Sequence, residues 1–202
     1  MAALAMITEM AKKDAERDMK KKSINHLTND LALMKSGLMA DMTIVCEETR
    51  FPAHKAILSA RSEVFRAMFS HRDTLESQQN EVLITDVDRV TMERFLTFLY
   101  EATLPIDLDF QGFAELLKVA HKYQVASLTE LCALKMGCYM GIDNAVQGVI
   151  LGSLYNHQLK KAAIMTIVNS GNAISSMNGH EELRAYPNLL FEILDSYASG
   201  RQ

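Results

Sequence analysis

The stretch that decides the fold runs from Asp41 to Arg61 and reads DMTIVCEETRFPAHKAILSAR. Within it, Met42, Ile44 and Cys46 alternate with their neighbours at a period of two, which is typical of a strand with one buried face. A short polar break separates this strand from a second one around Phe51. The stretch therefore predicts a β-hairpin.

After this hairpin the apolar period becomes helical. His54 begins a helix in which Ile57, Leu58 and Ala60 are predicted to face inward. A second helix follows, with apolar residues at Val64, Phe65, Met68 and Phe69. A hairpin that leads straight into two apolar helices leaves no obvious catalytic loop. The pattern favours a packing and docking module.

Composition excludes several classes of function. The chain has 202 residues, of which 49% are hydrophobic and 23% charged, enough for one full domain and a smaller one. The net charge of -4 gives no overall field that favours nucleic acid. No apolar run reaches the roughly 18 residues that cross a bilayer. The N-terminal residues lack a leading basic region, so no secretory signal is expected. Nucleus and/or cytoplasm follow by exclusion.

The three cysteines, Cys46, Cys132 and Cys138, are an odd number without CxxC spacing. Each lies in an apolar pattern, which favours buried free thiols over a zinc site or a disulfide. We therefore expect no metal, no cofactor and a reducing compartment.

The N-terminal part of the chain is charged, and residues 1–23 contain no Gly or Pro, so this segment is expected to be helical or frayed. Leu27, Leu31, Met34 and Leu38 then recur at the spacing of one helical stripe. Because this helix precedes the first strand, its apolar side either folds back on its own domain or docks on a partner.

Downstream, a short strand is predicted at 81–85, and Asp86 or Asp88 is expected to cap the next helix. Residues 104–106 are predicted as a strand-like connector that suits a sheet edge. Asp109 is expected to cap the helix that follows.

The remaining sequence predicts four more helices. Ser127 to Glu130 reads as a capping box that begins the first of them. Asp143 begins another, residues 156–158 break it, and its antiparallel partner covers 159–168. Pro187 takes the first position of a last helix.

Eight runs of residues occur in an order that is typical of one known family: Asp41, Phe51–Leu58, Arg61–Ser62, Phe65, Met68–Phe69, Ile84–Val87, Phe95–Tyr100 and Ala120–Tyr123. Together they resemble the BTB/POZ domain family, and in particular its speckle-type POZ group without the MATH domain. The resemblance covers residues 27–138. The helix pair from Asp143 to Ile167 resembles the start of the BACK domain that follows BTB domains in cullin adaptors.

The resemblance implies an α+β fold that is mostly α. A small β-sheet would be flanked by helical hairpins and followed by an all-α BACK-like helix pair and a terminal helix. The expected divisions are a charged N-terminal segment at 1–25, a BTB/POZ domain at 26–138 and a short BACK-like helical region at 139–202.

The resemblance also implies three interaction surfaces. The dimer interface is expected to contain Leu27, Leu31, Met34, Asp41, Lys55 and Ile57. The cullin-binding surface is expected to contain Phe69, Thr74, Leu75, Glu76 and Tyr123. A second self-association surface is expected at Leu194.

The cullin-binding loop departs from the family pattern. In cullin-3 adaptors this loop carries a hydrophobic-x-Glu motif, and here Glu76 aligns with the glutamate. Thr74 then occupies the hydrophobic position, unless Leu75 replaces it after a register shift. Burying Thr instead of Met or Leu forgoes about 1–2 kcal/mol of apolar burial, so cullin affinity is expected to be weakened.

Two motifs that suggest other chemistry fail on their details. His71-Arg72-Asp73 spells a kinase triplet, but Gln78 stands where the metal-binding Asn is needed. Asp107 to Gly112 begins like a calcium loop, but Lys118 occupies the position of the bidentate carboxylate. We expect no enzymatic activity.

The expected function is a protein-interaction module, namely a homodimeric substrate-adaptor or scaffold subunit of a cullin-3 RING E3 ubiquitin ligase. Its partners would be the cullin-3 scaffold, a second copy or a BTB relative, and a protein substrate that the sequence does not name. The alternative is a BTB self-association module of a transcriptional co-regulator, or a dominant-negative partner without a ligase role. Neither nucleic acid nor membrane is expected as a partner.

Overall fold

A three-stranded sheet lies at the centre of the N-terminal half. The structure is a computed structural model that describes residues 2–70 and 80–199; within the first helix it describes the side chains of residues 6, 9–23, 29–30 and 35. Strand β1 (Met42–Cys46) pairs antiparallel with β2 (Thr49–Ala53) and parallel with β3 (Glu81–Ile84), giving the order β2-β1-β3. The predicted alternation along β1 is confirmed, since its three alternate apolar residues are buried.

Helices make up most of the rest of the described chain. Before and around the sheet they are α1 (Ala2–Lys35), α2 (Lys55–Arg61), α3 (Glu63–Ser70), α4 (Arg89–Glu101), α5 (Phe110–Lys122) and α6 (Ala126–Cys138). After these come α7 (Ile142–Tyr155), α8 (His157–Ser170), two 3-10 turns (Ile174–Ser176 and His180–Ala185) and α9 (Pro187–Ser199). The prediction of a mostly helical α+β fold with a small sheet and extra C-terminal helices is confirmed.

Two clusters of buried side chains hold these elements together. The first core lies between the sheet and helices α2 to α6, with Leu58, Phe65 and Phe95 among its fully buried members. The second core joins α7, α8 and α9 through residues such as Val149 and Ile193. A transmembrane helix is not found within the described ranges.

The predicted caps are mostly confirmed. Asp88 accepts a hydrogen bond from the Thr91 backbone N–H at 2.9 Å, and Asp109 accepts one from Gly112 at 2.8 Å. Each side chain satisfies an N–H that the first turn of its helix leaves without a partner. The capping box at Ser127 is wrong, because α6 begins one residue earlier, after Val125, which offers no capping side chain.

The C-terminal helix pair packs unusually closely. Asn156 ends α7, and its side chain accepts the Leu159 N–H at 3.0 Å to begin α8. A Cβ atom added at Gly152 would lie 2.2 Å from the backbone nitrogen of Lys160, so only glycine fits there. The predicted break between the helices is therefore a single residue.

Several predicted positions are corrected. Ala60 is exposed rather than inward-facing, because α2 is only two turns long and buries Leu58 alone. Leu38 lies outside its predicted helical stripe, because α1 ends at Lys35 and Gly37 follows with a left-handed φ of 92°. The segment around Ile106 is not a strand, and this side chain is 98% exposed.

Of the three thiols, Cys46 and Cys132 are buried as predicted, but Cys138 is exposed. Cys138 is the last residue of α6, at the end of the helix, where the core no longer covers it.

Candidate protein-interaction surfaces

The base of α1 is fixed to the body at its C-terminal end. The Lys35 ammonium donates to Thr97 Oγ1 at 2.6 Å and lies 3.3 Å from Glu101 Oε1, both on α4. The predicted dimer residues Leu27, Leu31 and Met34 lie on α1. The structure describes their backbone but not their side chains. Their role stays a prediction.

The other three predicted dimer residues lie at the start of α2. Asp41 Oδ1 accepts the backbone N–H of Lys55 at 2.9 Å, and so satisfies a donor in the first turn of α2. The Lys55 ammonium donates to Asn80 Oδ1 and lies 5.9 Å from the centre of the Phe69 ring. Ile57 is half-buried. The structure therefore brings Asp41 and Lys55 together, as a helix-start contact.

A buried polar cluster behind this surface was only partly anticipated. Nε2 of His54 lies 2.8 Å from the Leu38 carbonyl oxygen, so this nitrogen carries the proton and donates. Nδ1 then accepts from the Tyr100 hydroxyl at 2.9 Å, and the same oxygen accepts the His54 backbone N–H at 3.0 Å. Burial raises the pKa of Tyr100. The predicted helix start at His54 is confirmed, since α2 begins directly after it, but the hydrogen bond to Leu38 was not predicted.

One of the predicted cullin-facing residues, Tyr123, lies mostly within the first core, and its role at the cullin surface stays a prediction. Tyr123 is only 4% exposed, because its ring stacks on Phe65 at 4.8 Å and lies 5.3 Å from Phe95. Burial also raises its pKa. Tyr123 is thus a core residue that supports the surface from beneath. Phe69 is half-buried and stacks on Phe65 at 5.8 Å, so part of its ring stays accessible.

The three loop residues of the predicted cullin surface, Thr74, Leu75 and Glu76, lie outside the described residues. The kinase-like triplet at 71–73 lies there too. The calcium-like loop is accounted for by Asp109, which serves as a helix cap.

A groove between α6 and α8 is an apolar surface feature that the sequence did not reveal. It has a volume of about 570 Å³. Its lining includes Ala133, Leu134, Gly137, Cys138, Leu159 and Ala162, with Glu130 and Asn156 at one end. Leu134 is 67% exposed. Leu134 lies two residues from Cys132 and from Met136, which are both buried, so it faces away from the buried side of α6. That spacing was the sequence signal for an exposed apolar residue.

A second cavity of about 480 Å³ adjoins this groove and shares Glu130 and Asn156 with it. His121 and Tyr155 form part of its lining, with ring centres 4.9 Å apart. The two cavities form one furrow, and it crosses from the BTB-like body onto the C-terminal helices. We call it the α6–α8 groove.

The predicted second self-association residue lies on the outer side of α9. Leu194 is 48% exposed, and Phe191, one turn earlier, is 65% exposed. The helix is held to α8 by an ion pair of 2.8 Å between Lys160 and Glu192. Tyr197 reinforces it, with its hydroxyl oxygen within 3.0 Å of the Ile167 carbonyl oxygen. Phe191 lies three residues before Leu194 on the same side of α9, and this spacing was the signal available in the sequence.

The described titratable groups show no arrangement suited to catalysis. No cluster of His, Cys, Asp and Glu within the described ranges could hold a metal ion. Burial raises the pKa of Cys132 to about 12, so this thiol stays protonated and unreactive. Burial also raises the pKa of Cys46, whose Sγ lies 2.9 Å from the Val87 carbonyl oxygen.

Comparison with known proteins agrees with this geometry. Residues 31–136 match the BTB/POZ domain family, which covers just over half of the chain, so the chain belongs to the BTB/POZ family. Members of this family are protein-interaction domains and are typically not catalytic.

Among its relatives, TD and POZ domain-containing protein 4 of Mus musculus is 30% identical over 179 residues, 87% of this chain and 48% of that protein. Protein maternal effect lethal 26 of Caenorhabditis elegans is 31% identical over 163 residues, 80% of this chain and 41% of that protein. The chain spans about half the length of the curated relatives it matches.

Two solved structures are also similar. The BTB domain of zebrafish PATZ1 has 28% identity and a TM-score of 0.46, covering 56% of this chain and 89% of that chain. The BTB domain of human gigaxonin has 17% identity and a TM-score of 0.46, covering 53% and 85%.

Proposed function

We propose that this protein is a homodimeric adaptor or scaffold subunit of a cullin-3 ubiquitin ligase. Its BTB domain would bind both a second copy and the cullin. The proposal rests on the resemblance to BTB proteins. In that family, a BTB domain followed by a BACK-like helix pair is typical of cullin adaptors. The observation that carries it is the α6–α8 groove, because an apolar furrow that joins the BTB domain to the following helices is a surface suited to a partner protein.

The cullin surface would have two parts. The first is the end of α3, where Phe69 is half-buried, together with the loop that contains Thr74, Leu75 and Glu76. The second is the α6–α8 groove, where exposed Leu134 offers an apolar contact. Because the first part carries Thr74 in place of a larger apolar residue, the groove would supply a greater share of the binding free energy.

Cullin binding tests this proposal directly. Isothermal titration calorimetry would measure the affinity of the chain for the N-terminal region of cullin-3. Thr74→Met is expected to tighten binding about tenfold, which corresponds to roughly 1.4 kcal/mol of added apolar burial. Leu134→Glu is expected to weaken it by a similar factor, since it places a charge in the groove.

The matched control is Ile106→Glu, which adds the same charge at a fully exposed position away from the groove. It is expected to leave cullin affinity unchanged. No heat of binding at micromolar concentrations, for either the parent or Thr74→Met, would contradict the ligase proposal. The remaining interpretation would then be a BTB self-association module without a ligase role, which the Thr at the hydrophobic position favours.

Self-association is tested separately by sedimentation of the purified chain. Dimerisation would involve Leu27, Leu31 and Met34 on α1, with Ile57, Asp41 and Lys55 at the start of α2. Ile57→Asp is expected to shift the chain toward monomer, because it places a charge on an apolar seam. Leu194→Asp is expected to remove only assemblies larger than a dimer. A strictly monomeric parent at high concentration would contradict both surfaces.

A further inference from the structure

The described stretch of α1 from residue 9 to residue 23 is open to solvent. Every side chain from Glu9 to Ser23 is exposed, on all sides of the helix. Packing on an apolar face supplies most of the stability of a helix in a protein, and here that source is absent. Met10, Ala11, Ala15 and Met19 are the apolar residues of this stretch, and all four are exposed. An exposed helix of this kind needs another source of order, such as many charge pairs along its own surface.

The charged side chains of this stretch are spaced so that they can form such stabilising pairs. A stripe of alternating sign runs along one side at spacings of four, three and four residues: Glu9, Lys13, Glu16 and Lys20. A second set lies on the other side, where Asp14 pairs with Arg17 at 3.8 Å and Asp18 precedes Lys22 by four residues. An acid that precedes a base by four residues is the more favourable orientation in a helix.

The last turn of the same helix and the loop that follows it are each bonded to the body. Lys35, in its last turn, bonds to Thr97 and Glu101 on α4. Three residues later the Leu38 carbonyl accepts from His54, which is itself bonded to Tyr100 of α4. Both restraints therefore end on one helix of the first core, which fixes the direction in which α1 leaves the body.

We infer that residues 9–23 form a rigid arm, stabilised by its own charge pairs and aimed by the Lys35 and His54 contacts. At 1.5 Å per residue it extends about 22 Å. This use of the arm rests on the proposed adaptor function: a substrate bound beyond its outer end would be held at a set distance from the cullin surface. The rigidity of the arm does not itself depend on cullin binding.

Pulsed electron–electron spin resonance on the full chain measures this rigidity. Spin labels at Met10→Cys and Ser23→Cys report the arm itself, and labels at Met10→Cys and Ser127→Cys report its direction relative to the body. Both pairs are made in a Cys138→Ser background, which removes the exposed native thiol. Labelled chains are diluted with unlabelled copies, so that distances within one copy are read even in a dimer.

A rigid arm gives narrow distance distributions for both pairs, centred near about 20 Å for the pair within the arm. Glu16→Lys places a like charge three or four residues from Lys12, Lys13 and Lys20 and is expected to widen both distributions about twofold. Glu48→Lys makes the same charge change in the hairpin turn and is expected to widen neither. Lys35→Ala is expected to widen only the arm-to-body distribution.

The flexible reference is Ala11→Gly/Ala15→Gly, which disrupts the helix at two exposed positions. A parent distribution as broad as that of this reference would overturn the inference. It would also be overturned if Glu16→Lys changed nothing, since charge pairs would then not hold the arm. These outcomes are independent of the calorimetric test of cullin binding, so failure of one proposal is distinguishable from failure of the other.

Discussion

The first core and the second core of this protein are held together by different means. In the first core, aromatic stacking is combined with buried polar contacts: Ser62 Oγ donates to the Tyr123 carbonyl oxygen at 2.6 Å, and His54 bonds to Tyr100. The second core is aliphatic, and its two main helices, α7 and α8, approach each other closely at Gly152. Satisfied buried polar groups fix one arrangement of side chains, whereas close helix contact fixes one distance between helices.

The α6–α8 groove depends on both cores for its shape. The α6–α8 groove has one wall on the BTB body and one on the C-terminal helix pair. Leu159 of α8 packs with the first core, while Ala163, one turn later, packs with the second. Damage to the first core is therefore expected to unfold the whole chain. Damage to the second is expected to deform the groove while the BTB body remains folded.

The largest effect is expected from Phe65→Ala. The ring is fully buried and stacks on Tyr123 and Phe69, so its loss is expected to lower the free energy of unfolding by about 4 kcal/mol. Urea denaturation followed by circular dichroism measures this change. Phe191→Ala removes the same group from an exposed position and is expected to cost under about 0.5 kcal/mol. Equal losses for the two variants would mean that α9 is as tightly packed as the first core.

A smaller effect is expected from Gly152→Ala, which lies where α7 and α8 meet beside Leu159. The new Cβ would lie 2.2 Å from a backbone nitrogen, so α7 and α8 must separate, at a cost of about 2–3 kcal/mol. Gly137→Ala is the matched control, because a Cβ there meets nothing within 4 Å. Alanine is the better helix former by roughly 0.5–1 kcal/mol, so this variant is expected to be slightly more stable than the parent.

Amide hydrogen exchange would locate the effect of Gly152→Ala. Faster exchange is expected in α7, α8 and α9, with little change in the sheet and α4. Loss of protection throughout the chain would show that the two cores unfold as one unit.

Removing one hydroxyl group tests the polar contacts of the first core. Tyr100→Phe leaves Nδ1 and the backbone N–H of His54 without their buried partner, which is expected to cost about 1–3 kcal/mol of unfolding free energy. Tyr139→Phe removes a hydroxyl from an exposed tyrosine and serves as the control in the same urea measurement. If Tyr100→Phe lowers the free energy of unfolding no more than Tyr139→Phe does, the buried hydroxyl of Tyr100 does not stabilise the first core.

Much of the fold could be predicted from the sequence because its signals are local. The alternation of Met42, Ile44 and Cys46 needs only a pleated strand with one buried face. Asp88 and Asp109 announce helix starts by the chemistry of their own side chains. The positions that failed lie where local signals end. The start of α6 has no capping side chain, and Ala60 lies on a helix too short for a full apolar stripe.

The interaction surfaces were less accessible to sequence reasoning, because a surface depends on elements that are distant in the chain. The α6–α8 groove joins Leu134 to Leu159, and no local pattern places the two together. Likewise, Tyr123 directly follows α5, and the two rings that cover it, Phe65 and Phe95, come from distant parts of the chain. The resemblance pointed to α2, where Asp41 meets Lys55.

The smallest effect is expected from an ion pair at the edge of the first core. Hydrogen bonding from Lys122, at 2.6 Å and 2.7 Å to the two carboxylate oxygens, lowers the pKa of Asp86 below its ordinary range. A lowered pKa in the folded state means that the stabilisation is present above the ordinary value of about 3.9 and is lost as the pH falls below it. Because both side chains are about half exposed, solvent screening limits the contribution to under about 1 kcal/mol.

Urea denaturation of the parent and of Asp86→Asn between about pH 6 and pH 3 measures the contribution of this ion pair. The stability difference between the two is expected to shrink as the pH falls, and a constant difference would show that the pair does not stabilise the first core.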